Sequence, residues 1–470
     1  MAWEALAALT KTLDPERQIA HVSDVRQAVR YAAADLKGDL LPGFCLPKGI
    51  APILPLFRES ILNGLPEDKE NAALMLGEVI KLTSAAAIQP SVVHITGPLI
   101  RILGDRFNSS VKAAVLETLA SLLAKVGVML KQFLPQLQTT FLKALNDPNR
   151  PVRIKAGHAL AQLVLIHTRA DPLFVEMHNG VKNADDPAIR ETMLQALRFI
   201  ITGGGDKMSE QLALSILTTL TSPALLAGPD DPPRAAVGGC LGALLHCLPA
   251  THLDAALLHH VLALNAPSST SDTDWYLQHG RSCALFVALK ETPQQVYRDQ
   301  FEEKVERTLL GYLASDKIPV VCNGIRGMGY LMRHLLQSER PVPHNILSQF
   351  IRSMNHSSNE VKQLMARASS LLGREAPLAA GGGSCGAELL RALLPALVNG
   401  TKEKNTYVRA NAEIALRAVL RLPQDPQFHQ QCMALLEEGA REALGDVVAR
   451  VLRRQHTEGR DEDLDCTLLT

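Results

Sequence analysis

Apolar and polar positions recur along the chain in a frame that begins at a basic residue. Arg153 is followed by Ala156, Ala159 and Leu160, at three, six and seven residues along the chain. This spacing places the apolar residues on one face of an α-helix. The same frame follows Lys69, Lys112, Arg190, Arg234 and Arg409, with weaker copies after Arg281, Arg326 and Lys362. The pattern predicts a recurring amphipathic helix with a cation near its start.

The spacing of these frames indicates the architecture. Successive frames begin 36 to 47 residues apart, with a mean near 42. This period is typical of two-helix HEAT or armadillo repeats, and the periods of roughly 33–34 residues of ankyrin and tetratricopeptide repeats fit worse. A second amphipathic segment precedes each frame, such as "QFLPQLQTTFLKAL" at residues 132–145. Because only stacked helix pairs bury their apolar faces, we predict an all-α solenoid of about ten helix pairs.

The cation at the start of each frame has two interpretations. Before Arg153 the chain reads Asn-Asp-Pro-Asn at residues 146–149, a turn, and Pro151 suits the first turn of a helix. We favour a structural role, in which the cation meets an aspartate of its own or a neighbouring turn and the contacts form a ladder. The alternative is direct contact with a partner.

Composition changes this picture little. The chain has 470 residues, beyond the roughly 250–300 that one core supports, but a solenoid escapes that limit. Aromatic residues make up only 4% of the chain, which favours helices over sheets. The net charge is zero, which argues against a dominant nucleic-acid surface overall. Residues 58–160 hold 12 basic and 8 acidic residues. Such a surplus is usually solvated surface, and the alternative is a basic patch for an acidic partner domain.

The cysteines and the hydropathy pattern bear on location. The eight cysteines form no Cys-x-x-Cys pair and are typical of a reducing compartment. No signal peptide is visible, and no apolar run approaches the roughly 18–20 residues of a membrane span. The sequence predicts a cytoplasmic protein with no membrane segment.

The ends and interruptions of the pattern give the expected domain organisation. Repeats are expected over residues 1–373 and 388–455, separated by a glycine-rich loop at 374–387 and followed by an acidic tail at 456–470. Residues 222–234 are expected to form a long turn. A helix that starts at Met1 without a polar cap suggests a piece of a longer array.

Motifs that could carry chemistry have structural explanations. "GIRGMGY" at residues 324–330 lacks the preceding strand of a phosphate loop, so its glycines favour close helix packing. The histidines and cysteine of "HCLPATHLDAALLHH" at residues 246–260 are spread too widely for a zinc site. Cys385 has no paired base nearby. We therefore expect no catalytic residue, metal or cofactor, and a role in binding.

Several long stretches resemble a known family. They are "PGFCLPKG" (residues 42–49), "HITGPLIRILGDRF" (94–107), "DPLFVEMHNGVK" (171–182), "DWYLQHGRS" (274–282), "GIRGMGYLMRH" (324–334) and "TKEKNTYVRA" (401–410). They are similar to the C-terminal part of the general control nonderepressible translational activator family, very large HEAT-repeat proteins. The resemblance runs from near Ala2 to the end of the chain and departs most at residues 223–233 and 374–387.

The resemblance implies a function. Members of this family associate with ribosomes and activate the kinase of translation initiation factor 2 alpha during amino-acid starvation. Their C-terminal region binds the RWD domain of that kinase, partly through basic residues, here expected at about residues 50–210. Arg58 and Lys69 match those positions, and Arg101 and Arg106 are weaker candidates. Lys69 also begins a repeat frame, so a structural role competes with binding there, and the family's ribosome contacts lie mostly in segments that this chain lacks.

Two other function classes stay open. A transport or assembly scaffold would bind peptide cargo through residues of the inner helices and would ignore Arg58. An enzyme would depend on Cys385 or on the histidine cluster at residues 246–260.

Overall fold

The structure, a computed structural model, describes residues 53–104, 107–263, 272–375, 385–422 and 424–458, with isolated positions between 12 and 51. In these ranges the regular structure is helical and no strand occurs. The chain divides into two compact units, Met1–Thr219 and Leu220–Thr470.

The first unit is built from helix pairs that follow one another along the chain. Its helices are α1 (Leu54–Asn63), α2 (Pro66–Leu82), α3 (Ala85–Ile88), α4 (Val92–Ile102), α5 (Ser109–Val126), α6 (Leu134–Ala144), α7 (Arg150–Ile166), α8 (Asp171–Asn183), α9 (Pro187–Gly204) and α10 (Glu210–Leu220), with 3-10 turns at Gln89–Ser91, Gly127–Phe133 and Gly205–Lys207. Pairs form between α1 and α2, α4 and α5, α6 and α7, and α8 and α9. We call the members of a pair its first and second helix. The second helices α2, α5, α7 and α9 also pack in order against one another.

The second unit repeats this arrangement. Its helices are α11 (Pro223–Leu226), α12 (Asp231–Leu244), α13 (Ala250–Ala256), α14 (Asp272–Glu291), α15 (Pro293–Val296), α16 (Glu302–Leu313), α17 (Ile318–Gln337), α18 (His344–Arg352), α19 (Asn359–Glu375), α20 (Cys385–Gly400), α21 (Thr406–Val419), α22 (Pro426–Ala434) and α23 (Glu438–Glu458). Short 3-10 or π turns lie at Leu245–Cys247, Leu257–Val261 and Ser353–Asn355. The second helices α12, α14, α17, α19 and α21 pack in order. The predicted all-α fold of about ten helix pairs is confirmed.

The apolar frame predicted from sequence forms the core. After Arg153, the side chains of Ala156, Ala159 and Leu160 are fully buried. The equivalent residues after Lys69, Lys112, Arg190, Arg234 and Arg409 are buried as well. Small residues in this layer let second helices approach closely, because a Cβ on Gly157 would lie 3.0 Å from the Cβ of Ala196.

The glycines of residues 324–330 have the packing role predicted for them. They lie within α17, which packs against α16. A Cβ on Gly324 would come within 2.6 Å of a methyl of Leu313, and one on Gly327 within 2.6 Å of a methyl of Leu309. A side chain at either position would push the two helices apart.

The predicted ladder of cations and aspartates holds for Lys112 and for Arg234, which pairs with Asp231 of its own turn. It is wrong for Lys69 and most arginines, and the partner of Lys362 is a glutamate. Lys112 Nζ lies 2.8 Å from the carboxylate of Asp147, which belongs to the turn of the next repeat. Lys362 Nζ lies 2.8 Å from the carboxylate of Glu403. Arg153 Nη1 donates instead to the carbonyl oxygens of Asp147 and Pro148, at 2.9 and 3.0 Å. Arg234 and Arg409 bind two carbonyls of their own turns in the same way, and Arg190 binds one, that of Ala184.

The reason is geometric. The carbonyl groups that end a first helix and form the following turn have no partner within the helix. The planar fork of an arginine carries several donors and can serve two carbonyls at once. We call this arrangement the arginine clasp: an arginine binds the carbonyl six residues before it and, at Arg153, Arg234 and Arg409, also the carbonyl five residues before it.

Two segments expected to be loops are partly helical. The glycine-rich loop predicted at 374–387 is shorter at both ends, because α19 extends to Glu375 and α20 begins at Cys385. Residues 376–384 lie outside the described ranges. The turn predicted at 222–234 contains α11 and the start of α12. Of the predicted acidic tail, 459–470 lie outside the described ranges, and α23 ends at Glu458.

One stretch corrects the hydropathy expectation. Among the described residues, Ser109–Ala144 is long and apolar enough to cross a membrane by length and composition alone. It consists of α5, a 3-10 segment and α6 rather than one helix, and half of its most apolar window is buried. Since α5 packs against α2 and α7 and carries Lys112 in a buried ion pair, its apolar character is that of a core helix.

Candidate protein-binding surface

Arg58 lies on the exposed face of α1, the first helix of the first described pair. Leu54, Phe57 and Ile61 of α1 are buried, so their helical spacing turns Arg58 outwards. Its side chain is exposed, and no hydrogen bond or ion pair joins it to a described residue. The guanidinium group is therefore available to a partner.

Lys69 lies at the start of α2 and is used within its own repeat. Its side chain is only 9% exposed, and Nζ donates to the carbonyl oxygens of Ile61 and Leu62 at 3.2 and 2.7 Å. These carbonyls belong to the last turn of α1, where a cation also meets the negative end of the helix dipole. The structure thus favours the structural role of Lys69, and its ammonium group is not presented to a partner.

Arg101 and Arg106 were the weaker candidates. Arg101 lies in the last turn of α4, is exposed, and has no hydrogen bond or ion pair with a described residue. Since α4 packs against α1, Arg101 and Arg58 belong to neighbouring first helices. Arg106 lies outside the described residues.

The basic surplus of residues 58–160 is mostly consumed by the repeats themselves. Eight of its described cations contact other groups: Lys69, Lys81, Lys112, Lys125, Lys143, Arg150, Arg153 and Lys155. In the described part of this segment, Arg58, Arg101 and Lys131 have no such contact. Sequence reasoning does not single out Lys131, because its exposure and lack of a contact depend on the packing of neighbouring repeats. All three lie on first helices or in the segment just before one, and we call them the first-helix cations.

A shallow groove lies on the second-helix layer of the first unit. It has a volume of about 300 Å³ between α5 and α7 and is lined by Glu117, Ala120, Ser121, Ala124, Lys155, His158 and Gln162. Lys155 Nζ lies 2.8 Å from Glu117, and this hydrogen bond lowers the pKa of Glu117. His158 stacks on Phe199 with ring centroids 4.4 Å apart, and burial lowers its pKa. The charges of this groove are satisfied internally, unlike the first-helix cations.

The residues considered for chemistry are dispersed or packed. In the described ranges no group of three or more His, Cys, Asp and Glu side chains is arranged to hold a metal ion. His246 and Cys247 contact each other at 3.3 Å. Cys385 is the first residue of α20 and is half-buried.

The comparisons with known proteins identify the family. A model of the family described as "Stalled ribosome sensor GCN1-like, HEAT repeats" matches residues 171–468, and a second model with the same description matches residues 1–48. The chain belongs to the GCN1-like family of HEAT-repeat proteins. A general HEAT-like repeat model also matches residues 109–163, which cover α5, α6 and most of α7.

Members of the GCN1-like family from several organisms resemble the chain. The human protein "Stalled ribosome sensor GCN1" is 42% identical over 472 residues, covering 100% of this chain and 17% of the human protein. The Saccharomyces cerevisiae "eIF-2-alpha kinase activator GCN1" is 31% identical, covering 73% of this chain and 12% of the yeast protein. The chain therefore spans about a sixth of the length of its human relative.

Two solved structures show a weaker likeness to the chain. Kap121p is 15% identical with a TM-score of 0.40, covering 88% of this chain and 44% of Kap121p. Yeast importin-beta (Kap95p) is 12% identical with a TM-score of 0.40, covering 86% and 57% of the two chains.

Proposed function

We propose that the chain is a protein-binding scaffold that docks the RWD domain of the translation initiation factor 2 alpha kinase. In this role it supports activation of the kinase on ribosomes in the cytoplasm during amino-acid starvation. Membership of the GCN1-like family supports the proposal, since relatives carry the names kinase activator and stalled ribosome sensor. The scaffold performs no chemistry, and it acts by raising the local concentration of the kinase at the signal.

The guanidinium of Arg58, exposed and without a contact to any described residue, is the observation that carries the docking proposal. Arginine is enriched among the residues that dominate binding energy at protein interfaces. Neighbouring first helices pack about 8–10 Å apart, so Arg58 and Arg101 can face one partner domain together. An acidic face on the RWD domain would complement them and increase the association rate.

Binding of the purified kinase RWD domain tests the proposal. We expect the full chain to bind in isothermal titration calorimetry and Arg58→Ala to bind at least tenfold more weakly. Arg352→Ala is the matched control, because Arg352 is an exposed arginine of α18 without a contact in the described residues. It should bind within twofold of wild type, and circular dichroism should show equal helicity for all three. Equal affinity of wild type and Arg58→Ala would overturn the docking site.

The alternative scaffold for peptide cargo has one observation in its favour, the groove between α5 and α7. It predicts that Lys155→Ala and His158→Ala reduce partner binding while Arg58→Ala does not. The same titration with these two variants separates the two functions, because the groove and Arg58 lie on different helix layers.

A further inference from the structure

The turn between α20 and α21 differs from the other turns that carry the arginine clasp. Four arginines form the clasp: Arg153, Arg190, Arg234 and Arg409. The residues seven and five positions before each arginine differ. They are Asn146 and Pro148 before Arg153, Asn183 and Asp185 before Arg190, Ala227 and Pro229 before Arg234, and Lys402 and Lys404 before Arg409. Three turns build the same clasp without a lysine at either position. The repeat fold therefore does not require Lys402 and Lys404.

The backbone of this turn is held firmly. Arg409 Nη1 donates to the carbonyl oxygens of Glu403 and Lys404 at 2.8 and 2.7 Å. The side chain of Asn405 accepts from the backbone N–H groups of Tyr407 and Val408 at 2.9 and 3.1 Å. A ligand would meet a preformed turn, which reduces the entropy lost on binding.

The two lysines line an open polar cavity. Its volume is about 730 Å³, and its lining residues are Asn359, Asn399, Lys402, Glu403, Lys404 and Asn405. Glu403 is paired with Lys362 at 2.8 Å, so it is already neutralised. Lys402 and Lys404 are exposed, and neither side chain has a hydrogen bond or ion pair with a described residue. The cavity thus combines two available cations with three asparagine side chains.

An exposed aromatic residue follows the cavity-lining turn, and its backbone N–H bonds to Asn405, which lines the cavity. Tyr407 follows Asn405 by two residues and is 72% exposed, the one aromatic among the large apolar side chains that stand out as exposed in the described part of the chain. At the equivalent position, two residues before the other clasp arginines, stand Pro151, Ala188 and Pro232. The ring therefore has no role in the repeat fold either.

We propose that Lys402, Lys404, Tyr407 and the asparagines of this cavity, here named the 402–407 surface, bind single-stranded nucleic acid. Lysine ammonium groups contact the phosphates, a base stacks on Tyr407, and asparagine amides bond sugar or base edges. Unpaired lysines beside an exposed ring are the combination that single-strand binding surfaces use. An acidic peptide would use the lysines but would gain no base stacking on the ring.

Fluorescence anisotropy with labelled oligouridine of about ten nucleotides tests the site on the full chain. We expect binding at low salt and a loss of affinity of about fivefold to a hundredfold in Tyr407→Ala, the range of one stacked base. Tyr407→Trp should restore binding. Lys402→Glu with Lys404→Glu should abolish it, while Lys402→Gln with Lys404→Gln should reduce the slope of log affinity against log salt by about 1.4, the value for two phosphate contacts to a single strand.

The matched control is Lys182→Glu with Lys304→Glu, which makes the same change of net charge at two exposed lysines elsewhere. It should bind oligouridine within about twofold of wild type, and circular dichroism should show that all variants are folded. Oligothymidine of the same length distinguishes RNA from DNA as the source of the strand.

Three results would overturn the proposal. The first is absence of oligouridine binding by wild type at low salt. The second is equal loss of binding in the control pair, which would indicate nonspecific charge attraction. The third is a Tyr407→Ala variant that binds like wild type and is competed equally well by oligoglutamate, which would make the surface an acidic-peptide site.

Discussion

The two helix layers of the first unit use the same basic residue types in opposite ways. On the second helices, Lys112 and Arg153 are buried and bonded to turns of their own or the next repeat. On the first helices, Arg58 and Arg101 are exposed and contact no described residue. For these four residues, the position of the cation in the repeat rather than its type distinguishes those that stabilise the fold from those that are available to a partner.

The physical cause is the distribution of unpaired carbonyls. The end of each first helix and the turn after it leave carbonyl groups without partners inside the helix. These groups face the start of the second helix, where a cation can bind them. The outward face of a first helix has no such acceptors, so a cation there stays solvated.

The largest expected effect is on the buried ion pair. Lys112→Met leaves the carboxylate of Asp147, whose side chain is 7% exposed, without its cation. We expect a loss of about 3–5 kcal/mol in the free energy of unfolding, measured by guanidinium denaturation. Lys131→Met, at an exposed position, should change it by less than about 0.5 kcal/mol. Equal stability of the two variants would show that the layers do not differ in this way.

The same pair should respond to acid. Burial alone would raise the pKa of Asp147, but hydrogen bonds from Lys112 and Asn149 outweigh it, and the pKa is lowered. A carboxyl whose folded pKa is lowered contributes stability above its unfolded pKa of about 3.9. This contribution should be lost as the pH falls through the folded pKa, and Lys112→Met should lose less stability there than wild type.

A second-helix histidine should give a pH effect of about 3 kcal/mol in the second unit. Burial, with Arg234 and Arg326 nearby, lowers the pKa of His279 to about 4, and its Nδ1 accepts from Arg234 Nε at 3.1 Å. The unfolded chain gains the proton first, near pH 6.5, so stability should fall between about pH 6.5 and 4. Subtracting the profile of His279→Gln from that of wild type isolates this effect. A flat difference profile would contradict it.

The arginine clasp should contribute less than the buried pair. Arg153→Ala leaves the carbonyls of Asp147 and Pro148 and the hydroxyl of Thr192 without their donor. We expect a loss of about 1.5–3 kcal/mol in the free energy of unfolding, the range for hydrogen bonds to a charged group. Arg58→Ala should leave that free energy unchanged within about 0.5 kcal/mol. A comparable loss in Arg58→Ala would remove the contrast between the layers.

The smallest expected effect is on a neighbouring first-helix cation. Arg101→Ala should weaken binding of the RWD domain by about twofold, mainly through a slower association rate at low salt. Stopped-flow association at low and physiological ionic strength measures this effect, which should shrink at the higher salt. An increase of the effect with salt would exclude electrostatic steering by Arg101.

The sequence was sufficient to predict the fold, because the apolar positions of the repeat frame are the residues that form the core. Ala156, Ala159 and Leu160 are buried where the spacing placed them. The hydrogen-bond partners of the cations were harder to predict. A sequence shows where aspartates lie, but it does not show which backbone carbonyls are left unpaired at the end of a helix. Arg153 was therefore assigned an acidic partner and has carbonyl partners instead.

The candidate site was predictable only in part. Arg58 does not begin a repeat frame, and in the structure it is exposed, unlike the frame cations Lys69, Lys112 and Arg153, which are buried. Lys69 begins a repeat frame and also matches a basic position of the family, so the sequence allows both a structural and a binding role. Only its burial against α1 distinguishes these two roles. Lys131 and the 402–407 surface were missed because exposure and the absence of a contact depend on the neighbouring repeats.

The central claim is most directly tested by measuring Arg58→Ala and Lys69→Met side by side, each for its unfolding midpoint and for its affinity for the kinase RWD domain. We predict that Arg58→Ala keeps the wild-type midpoint and loses at least tenfold in affinity. Lys69→Met should lower the midpoint and, under conditions where it is folded, bind like wild type. Wild-type affinity in Arg58→Ala, or a Lys69→Met variant that is fully stable and does not bind, would contradict the account.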